Sequence, residues 1–558
     1  MAGKDINIYL GSVTIATCLG DLDGTMSSMS RHICGLKQNT EYGMITGTLN
    51  RAQPCRNGYT RFESLVIDQL TQIEKASGFK ISDPGTILII STTKGNVDLL
   101  AESNCQPVPE KAFLYSSATS ISEHFGCTNR PIVISNACIS GVSAFVLARR
   151  MLICGKYSNA VIAGCDLLSE FITAGFASFK SISGQPCRPY DTAHDGLNLG
   201  EGCGAVVLTT ELKYAAQPLI FLAGGCMSND ACHLSAPSRT GEGLYLAIQG
   251  ALLDAGLSPE DIGFVNAHGT ATVYNDEMEC KAVSKAGLNT VPINSLKGYI
   301  GHTLGASGVI ESILCAEQLR QGYIYGTEGF RFTEANANGL RISHDRQNIA
   351  KRICVKTASG FGGCNAAIVL SMNESPENRT RFHRKKRDVR ILAEYSLPQS
   401  EKPFSEFIRD EFVGFNEPYM KFYKMSDMCK ALYVAVKHLL QGIDMDSCPP
   451  GRRAVVIANR ASSLEADIVH QKILDQKIPT GASPAAFVYT LPNVAIGEIC
   501  IKHQIQGDNI FFIEDYDSGL AADYASYLIA SDIADIAICG WCDFLSGKWD
   551  VNIKLLSI

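Results

Sequence analysis

One cysteine in the sequence follows an apolar segment and precedes a helical one. The segment Ile134-Ser-Asn-Ala-Cys138-Ile-Ser-Gly141 ends a β-branched run in a turn of small residues, and helical spacing begins directly after it. A thiol at a helix N-terminus feels the positive end of the helix dipole, which lowers its pKa from about 8.5 and favours the thiolate. The pattern predicts a nucleophile at Cys138, although a lone cysteine here is also typical of an inert buried residue.

Three further segments place histidine, lysine and aromatic side chains in turns rich in glycine. His268 lies in a Val-Asn-Ala-His-Gly-Thr-Ala-Thr segment, where a strand is expected to end. Lys297 and His302 lie five residues apart in a glycine-rich loop that leads into a helix. Phe361 lies in a Gly-Phe-Gly-Gly-Cys-Asn segment just before a strand. Either histidine alone is more typical of a structural residue than of a catalytic one. The prediction of an active site therefore depends on all four segments together.

Strand and helix signals alternate through the first 370 residues or so, and these elements must position the four turns. This alternation predicts α/β layers with buried, largely parallel sheets. Strands are expected at residues 131–135, 160–163, 205–209, 262–266, 353–356 and 366–370, and helices at residues 141–154, 243–255 and 309–321.

The composition is that of a globular enzyme and excludes several other classes. Of the 558 residues, 46% are hydrophobic and 19% are charged, which is ordinary for a globular enzyme. The length is too great for one ordinary core and predicts several folding units. A net charge of −7 does not favour nucleic acid, and no apolar run reaches the roughly 18 residues of a membrane span. The chain starts without a signal-peptide pattern, and its 21 scattered cysteines indicate a reduced, cytoplasmic protein.

In their order along the chain, the four segments resemble those of the elongating β-ketoacyl-acyl-carrier-protein synthases of the thiolase superfamily. The stretch with Cys187-Arg-Pro-Tyr-Asp191, Asp195-Gly and Gly200-Glu-Gly-Cys-Gly204 is similar to that family's Pro-Phe-Asp, Arg-Asp-Gly and Gly-Glu-Gly. The resemblance covers roughly residues 5–372. It implies a thiolase-like layered α-β-α-β-α domain over residues 1–375, with halves at about 1–210 and 211–375.

The resemblance also implies roles for the reacting groups. Cys138 is expected to carry the growing acyl chain as a thioester. His268 and His302 are expected to donate hydrogen bonds to the thioester carbonyl of malonyl-carrier protein and so stabilise the enolate that remains after carbon dioxide leaves. Lys297 is expected to pair with Glu311, and this pair to hold His302 and the local field.

The family's remaining site residues concern the oxyanion and the substrate arm. The backbone N–H groups of Cys138 and Phe361 are expected to bind the new oxyanion, and Phe361 also matches the gate of the acyl pocket. Thr270 and Thr272 match threonines that bind the phosphopantetheine arm. The implied partners are an acyl carrier protein and its acyl and malonyl thioesters. No metal and no resident cofactor are expected, since the carrier brings the phosphopantetheine.

Two other functions remain open at this point. One is a non-catalytic subunit similar to a chain-length factor, although the retained Cys138 and histidines argue against it. The other is a biosynthetic thiolase, for which Cys364 would be a second cysteine; we interpret it as a small-residue substitution for the threonine usual in the family. Ile139 is bulkier than is usual after the nucleophile, which leaves the acyl chain length open.

The C-terminal part is expected to repeat the first fold in incomplete form. Residues 376–390 are basic and are expected to form a linker, with a docking patch for an acidic carrier protein as the alternative. The following residues, 391–558, lack the histidine motifs. The segment 509–519 can be laid over residues 131–141, which places Tyr516 at the position of Cys138. This predicts a catalytically silent, half-thiolase-like α/β domain that resembles a chain-length factor.

The same overlay concerns the assembly of the protein. It predicts that residues 509–513 pair with 132–135 of the same chain and replace a second subunit as an internal pseudo-dimer; a homodimer is the alternative. The Cys-Gly-Trp-Cys motif at Cys539 and Cys542 has the spacing of a redox pair, but the overlay favours a structural role.

Overall fold

The structure is a computed structural model that describes residues 6–50, 55–102, 107–331, 339–373, 387–476 and 482–558. Most of the expected basic linker, up to residue 386, lies outside the described residues. Among the described residues, none of the helices is both long and apolar enough to cross a bilayer.

The first part of the chain builds eight strands and six helices within the described residues. In chain order they are β1 (Tyr9–Ala16), α1 (Leu22–Ser30), β2 (Lys37–Asn39), β3 (Met44–Gly47), α2 (Arg61–Ser77), β4 (Thr86–Ser91), α3 (Leu99–Glu102), α4 (Leu114–His124), β5 (Ile132–Ile134), α5 (Ser140–Ile153), β6 (Asn159–Asp166), α6 (Glu170–Ser178), β7 (Leu199–Gly200) and β8 (Gly202–Thr209).

The second part repeats the alternation of strands and helices. Its elements are β9 (Phe221–Asn229), α7 (Glu242–Ala255), β10 (Phe264–Asn266), α8 (Val273–Lys285), β11 (Pro292–Asn294), α9 (Lys297–Ile300), α10 (Ser307–Gln321), β12 (Tyr323–Ile324), β13 (Arg341–Ile342), β14 (Gln347–Asn348), β15 (Ile353–Gly360) and β16 (Cys364–Ser371).

The third part forms the C-terminal unit. Its elements are β17 (Arg390–Ser396), α11 (Phe404–Gly414), α12 (Asp427–Leu439), β18 (Arg453–Asn459), α13 (Leu464–Asp475), α14 (Pro484–Val488), α15 (Asn493–His503), β19 (Asn509–Ile513), α16 (Leu520–Ala530), β20 (Ile536–Leu545) and β21 (Lys548–Ser557).

One sheet runs through all three parts and shows a threefold repeat. Sixteen strands of the described residues follow the order β13-β11-β10-β15-β16-β9-β1-β8-β6-β4-β5-β19-β18-β20-β21-β17. The sets β5-β4-β6-β8-β1, β11-β10-β15-β16-β9 and β19-β18-β20-β21-β17 have the same connectivity and the same pattern of two parallel and two antiparallel pairings. The repeat in the C-terminal part is therefore confirmed, whereas the expected largely parallel sheet is wrong: in each unit the last strand pairs in antiparallel register with both the preceding strand of this sheet and the first strand.

The first two units stack with two helices between them. Helices α5 and α10 contact strands of both units, whereas α2 packs outside the first unit and α7 and α8 outside the second. Thirteen of the fourteen residues of α5 are buried, and its two buried arginines, Arg149 and Arg150, pair with Asp254 and Asp508. This is the predicted α-β-α-β-α layering of a thiolase-like fold.

The C-terminal unit is attached through the strand that precedes Cys138. Strand β19 pairs with β5 in antiparallel register, with Phe512 opposite Ile134 and Ile513 opposite Val133, as the overlay predicts. Beyond the end of β5 the side chain of Asn136 continues the ladder. It donates from Nδ2 to the carbonyl of Asn509 (3.0 Å), and its Oδ1 accepts from the N–H of Phe511 (2.9 Å). The edge of β5 is thus occupied from within the chain.

Two features of the third unit bear on the sequence predictions. Tyr516 is 54% exposed and lies beneath the guanidinium of Arg130, 3.9 Å from the ring centroid, on the seam between the units. Cys539 and Cys542 are free and buried on β20, three residues apart. Because side chains alternate along a strand, these two thiols project from opposite faces, which excludes a disulfide between them.

Candidate active site

Cys138 lies in a strained turn between β5 and α5. Ala137 has a φ of 47°, in the left-handed region that residues other than glycine rarely adopt, and a 3-10 turn leads from there into α5. The first turns of α5 and α10 cross at two glycines. A Cβ added to Gly141 would lie 2.8 Å from the Cα of Gly308. Close helix crossing therefore brings the turn of Cys138 against the loop that carries His302.

The predicted lowering of the thiol pKa is wrong. Helix α5 begins at Ser140, after the thiol, and Cys138 is only 9% exposed. Burial raises the pKa of the Cys138 thiol to about 12, the Lys297 ammonium opposes this, and the Asp166 carboxylate adds to it. The thiolate loses its hydration on burial, and this effect on the pKa is larger than the stabilisation by the helix N-terminus. The local sequence does not show how deeply the thiol is buried.

The structure brings Cys138, His268 and His302 together. One nitrogen of each histidine and the sulfur of Cys138 all lie within 4.8 Å of one another, and the two imidazole rings meet edge to face at 5.1 Å. The three side chains are buried at the base of a cleft of about 230 Å³. They reach this point from the ends of β5 and β10 and from the loop before α10.

Both imidazoles are held in the neutral form. Burial lowers the pKa of His268 and of His302 well below the usual range, and the ammonium groups of Lys297 and Lys356 lower both further. Nδ1 of His302 lies 3.0 Å from Oγ of Ser307, which leaves Nε2 for the cleft. Nδ1 of His268 is buried and has no hydrogen-bond partner among the described residues. Neutral imidazoles can donate one hydrogen bond each to a bound oxygen.

A buried ion cluster lies beside the histidines. Glu311 accepts from Lys297 Nζ at 2.7 Å through Oε1 and from Lys356 Nζ through Oε2. Although burial alone would raise it, the two ammonium groups hold the pKa of Glu311 below its usual range. The expected Lys297–Glu311 pair is present, but Lys297 donates to the backbone carbonyl of His268 at 2.6 Å rather than to His302. Lys297 therefore acts on His302 through its charge, which lowers the pKa of that imidazole, whereas its hydrogen bonds go to His268 and Glu311.

The positive charge of this cluster has a consequence for metal binding. A cysteine and two histidines at this separation have the ligand types of a zinc site. However, the ammonium groups of Lys297 and Lys356 act on both imidazoles and lower the pKa of each. This field disfavours a divalent cation and favours a developing anion.

The threonines and the loop of His268 line the same cleft. Thr270 and Thr272 lie in its wall, and their hydroxyl oxygens are 2.9 Å apart. The carboxylate of Glu279, on α8, accepts from the N–H groups of His268 (2.7 Å) and Gly269 (2.6 Å). This buried carboxylate fixes the loop that presents His268.

Phe361 separates the cleft from the interior. Its ring lies 5.2 Å from Phe179 and 6.1 Å from Phe176, between centroids, and its carbonyl accepts from Nδ2 of Asn493 at 2.8 Å. Asn493 belongs to α15 of the C-terminal unit, so that unit contacts the loop of Phe361 directly.

The thiol of Cys364 donates to the carbonyl of Phe361 (3.2 Å), within the turn. The end of β15 also lies against the backbone amide of Cys138, since a Cβ on Gly360 would approach that nitrogen to 3.2 Å.

Sequence reasoning missed several residues of the site. Lys356 and Glu279 are both buried, and a lysine in the apolar strand β15 was the one signal available. Ser307, Asn136 and Asn493 have no such signal, because their roles depend on contacts between distant parts of the chain.

The comparisons with known proteins agree with this architecture. The Beta-ketoacyl synthase, N-terminal domain, matches residues 90–213, and the Beta-ketoacyl synthase, C-terminal domain, matches residues 220–331. The 3-oxoacyl-[acyl-carrier-protein] synthase 2 of Vibrio harveyi is 33% identical over 254 residues, which are 43% of this chain and 61% of that protein. A 3-oxoacyl-[acyl-carrier-protein] synthase homolog of Saccharomyces cerevisiae is 33% identical over 272 residues, 46% of this chain and 61% of the relative. The chain thus spans less than two thirds of the length of these curated relatives.

Solved structures extend the similarity. A ketosynthase (ApeO) in complex with its chain length factor (ApeC) from Xenorhabdus doucetiae is 26% identical, with a TM-score of 0.59 over 66% of this chain and 98% of that one. The structure of the PfaC keto synthase–chain length factor matches 99% of this chain and 78% of its own, with a TM-score of 0.78 and 15% identity, which shows a shared fold. Residues 90–331 thus carry the N- and C-terminal domains of a β-ketoacyl synthase.

Proposed function

We propose that the protein is a β-ketoacyl-[acyl-carrier-protein] synthase, an acyltransferase that performs decarboxylative Claisen condensation. The convergence of the Cys138 sulfur with His268 and His302, all within 4.8 Å at the base of one cleft, is the observation that carries this proposal. A nucleophile beside two neutral hydrogen-bond donors is the arrangement that this chemistry requires.

The first step is acyl transfer. The Cys138 sulfur attacks the carbonyl carbon of an acyl thioester on the carrier's phosphopantetheine, the carbon–sulfur bond to the carrier breaks, and the proton of the Cys138 thiol passes to the released carrier thiolate. Thr270 and Thr272 lie in the cleft wall where they can bind the arm. The backbone N–H groups of Cys138 and Phe361 bind the oxyanion of the tetrahedral intermediate.

The second step is condensation. Malonyl-carrier protein loses carbon dioxide, and the electron pair of the broken carbon–carbon bond forms an enolate whose oxygen accepts hydrogen bonds from His268 and His302. The ammonium groups of Lys297 and Lys356, which act on both imidazoles, stabilise this anion. The carbanion attacks the carbonyl carbon of the Cys138 thioester, the carbon–sulfur bond to Cys138 breaks, and the released thiolate takes up a proton from water, as its raised pKa favours.

The partners follow from this chemistry. The substrates are acyl and malonyl thioesters of an acyl carrier protein, and the product class is that of fatty-acid, polyene or polyketide synthesis. No resident cofactor takes part, and we place the reaction in the cytoplasm. The C-terminal unit is a silent partner domain that occupies β5 through β19, so the working unit is an internal pseudo-dimer.

Incubation with malonyl-carrier protein and an acyl-carrier protein tests the proposal. We expect a 3-oxoacyl-carrier product from the native enzyme and none from Cys138→Ala, and about 10²–10³-fold slower condensation after loss of one histidine donor. A non-catalytic, chain-length-factor-like protein would form no product. A biosynthetic thiolase would condense two acetyl-coenzyme A molecules without malonate, and either result would refute the proposed reaction.

A further inference from the structure

A second, smaller cavity lies on the inner side of Phe361. Its volume is about 20 Å³, and Cys138, Phe176 and Phe361 border both this cavity and the entrance cleft. A water-sized group needs roughly 10–15 Å³ on this measure, so the cavity holds one or two such groups. An acyl group on Cys138 that points away from the entrance would enter this space.

A buried ion pair between two units closes the inner end of the cavity. Nζ of Lys94, in the loop after β4, donates to Oδ1 of Asp467 at 2.6 Å, to Oγ of Ser463 at 3.1 Å and to the carbonyl of Thr490. The side chains of Lys94 and Asp467 are only 4% and 5% exposed. All three N–H donors of the ammonium are engaged, and its partners all belong to the C-terminal unit.

An aromatic side chain of the C-terminal unit forms the adjacent wall. The ring of Phe487 lies 5.4 Å from Phe176 and 5.2 Å from the imidazole of His470. A Cβ added to Gly175 would meet this ring at 2.2 Å, so α6 is pressed directly onto it. The wall therefore cannot retreat without repacking several buried groups.

A longer acyl chain would have to pass this barrier. An apolar chain that advances beyond the cavity would separate Lys94 from Asp467 or leave their charges against hydrocarbon, and breaking a buried, hydrogen-bonded ion pair is strongly unfavourable. Short acyl groups meet no such penalty, because they end before the ion pair.

We propose that Lys94, Asp467 and Phe487 form the end of the acyl pocket and restrict the donor on Cys138 to short acyl groups, of about two or three carbons. This inference rests on the proposed function, since it assumes that Cys138 is acylated. It assigns the length limit to a charge pair shared by two units of one chain.

The test measures acylation of Cys138 by intact-protein mass spectrometry with acetyl-, butyryl-, octanoyl- and dodecanoyl-pantetheine. For the native enzyme we expect acetyl transfer to be at least about tenfold faster than octanoyl transfer. Equal rates for all four would overturn the inference and leave the proposed function intact. Absence of transfer at every length would overturn both.

Two variants and a matched control locate the limit. In the double variant Lys94→Met/Asp467→Leu we expect the preference for acetyl over octanoyl to fall by about tenfold or more. Arg130→Met/Asp515→Leu removes another ion pair between the same units (2.8 Å), which lies outside the cavity lining, and should keep the native preference. Phe487→Ala enlarges the same end of the cavity without a change of charge. It replaces the double variant in this test if the double variant does not fold. An unchanged preference in either folded cavity variant would refute the assignment.

Discussion

The hydrogen bonds of Asn136 lead to a quantitative prediction for the junction between the units. Its amide group bonds the carbonyl of Asn509 at 3.0 Å and the N–H of Phe511 at 2.9 Å, and the residue is fully buried. Asn136→Ala leaves both backbone groups without these partners. Each unsatisfied buried group costs about 1–3 kcal/mol, so we expect the free energy of unfolding to fall by about 2–6 kcal/mol.

Urea unfolding followed by tryptophan fluorescence is the assay. The chain has two tryptophans, Trp541 and Trp549, and both lie in the C-terminal unit, so the signal reports the unit that Asn136 holds. Asn129→Ala is the matched control, because Asn129 Nδ2 also bonds two backbone carbonyls at 2.8 Å, but within the first unit and with one of the bonds exposed to solvent. The control should lose less than about 1 kcal/mol. A loss below about 0.5 kcal/mol in Asn136→Ala, or a loss equal to the control's, would refute the reasoning.

Three other predictions follow from the charges and pKa values. Alkylation of Cys138 by iodoacetamide, followed at the level of its peptide, should accelerate by about tenfold per pH unit from pH 7 to 10, because its thiol pKa is raised to about 12; a plateau near pH 8 would contradict this. Glu311→Gln leaves Lys297 and Lys356 without their shared counter-charge and should lower the free energy of unfolding by about 3–5 kcal/mol, which chemical denaturation measures against the native protein. Burial lowers the pKa of His470 to about 4, so the unfolded chain takes up a proton first and stability should fall as the pH drops from about 6.5 towards 4; His470→Leu should weaken this dependence, and an unchanged dependence would refute it.

The reacting residues could be predicted from the sequence, whereas the burial and the charged partners that set their pKa values could not. The positions of the three reacting residues were predictable, because each lies at the end of a predicted strand or in a predicted loop: Cys138, His268 and His302. That they line one cleft was predictable from the layered fold that the resemblance implies. The pairing of Asn509–Ile513 with β5 was predictable because the C-terminal unit repeats the order of its strands. Repeated apolar segments with a common turn pattern carry that information in the sequence itself.

The pKa of Cys138 and the partners of the lysines were not predictable in the same way. The thiol pKa depends on burial by α6 and by the loop of Phe361, which are remote in sequence. The pairing of Lys94 with Asp467 joins residues separated by 373 positions, and neither residue lies in a recognisable motif. Lys356 was recognisable only as a charged residue in an apolar strand. Long-range contacts of this kind are set by packing between units rather than by local patterns.

The most direct test of the central claim is mass spectrometry of the Cys138 peptide before and after a malonyl chase. After incubation with acetyl-carrier protein, we expect an acetyl group on Cys138, and this label should leave the protein when malonyl-carrier protein is added and appear in an acetoacetyl-carrier product. A Cys138 that stays unmodified while the product forms, or an acetyl label that the chase does not remove, would contradict the proposed mechanism.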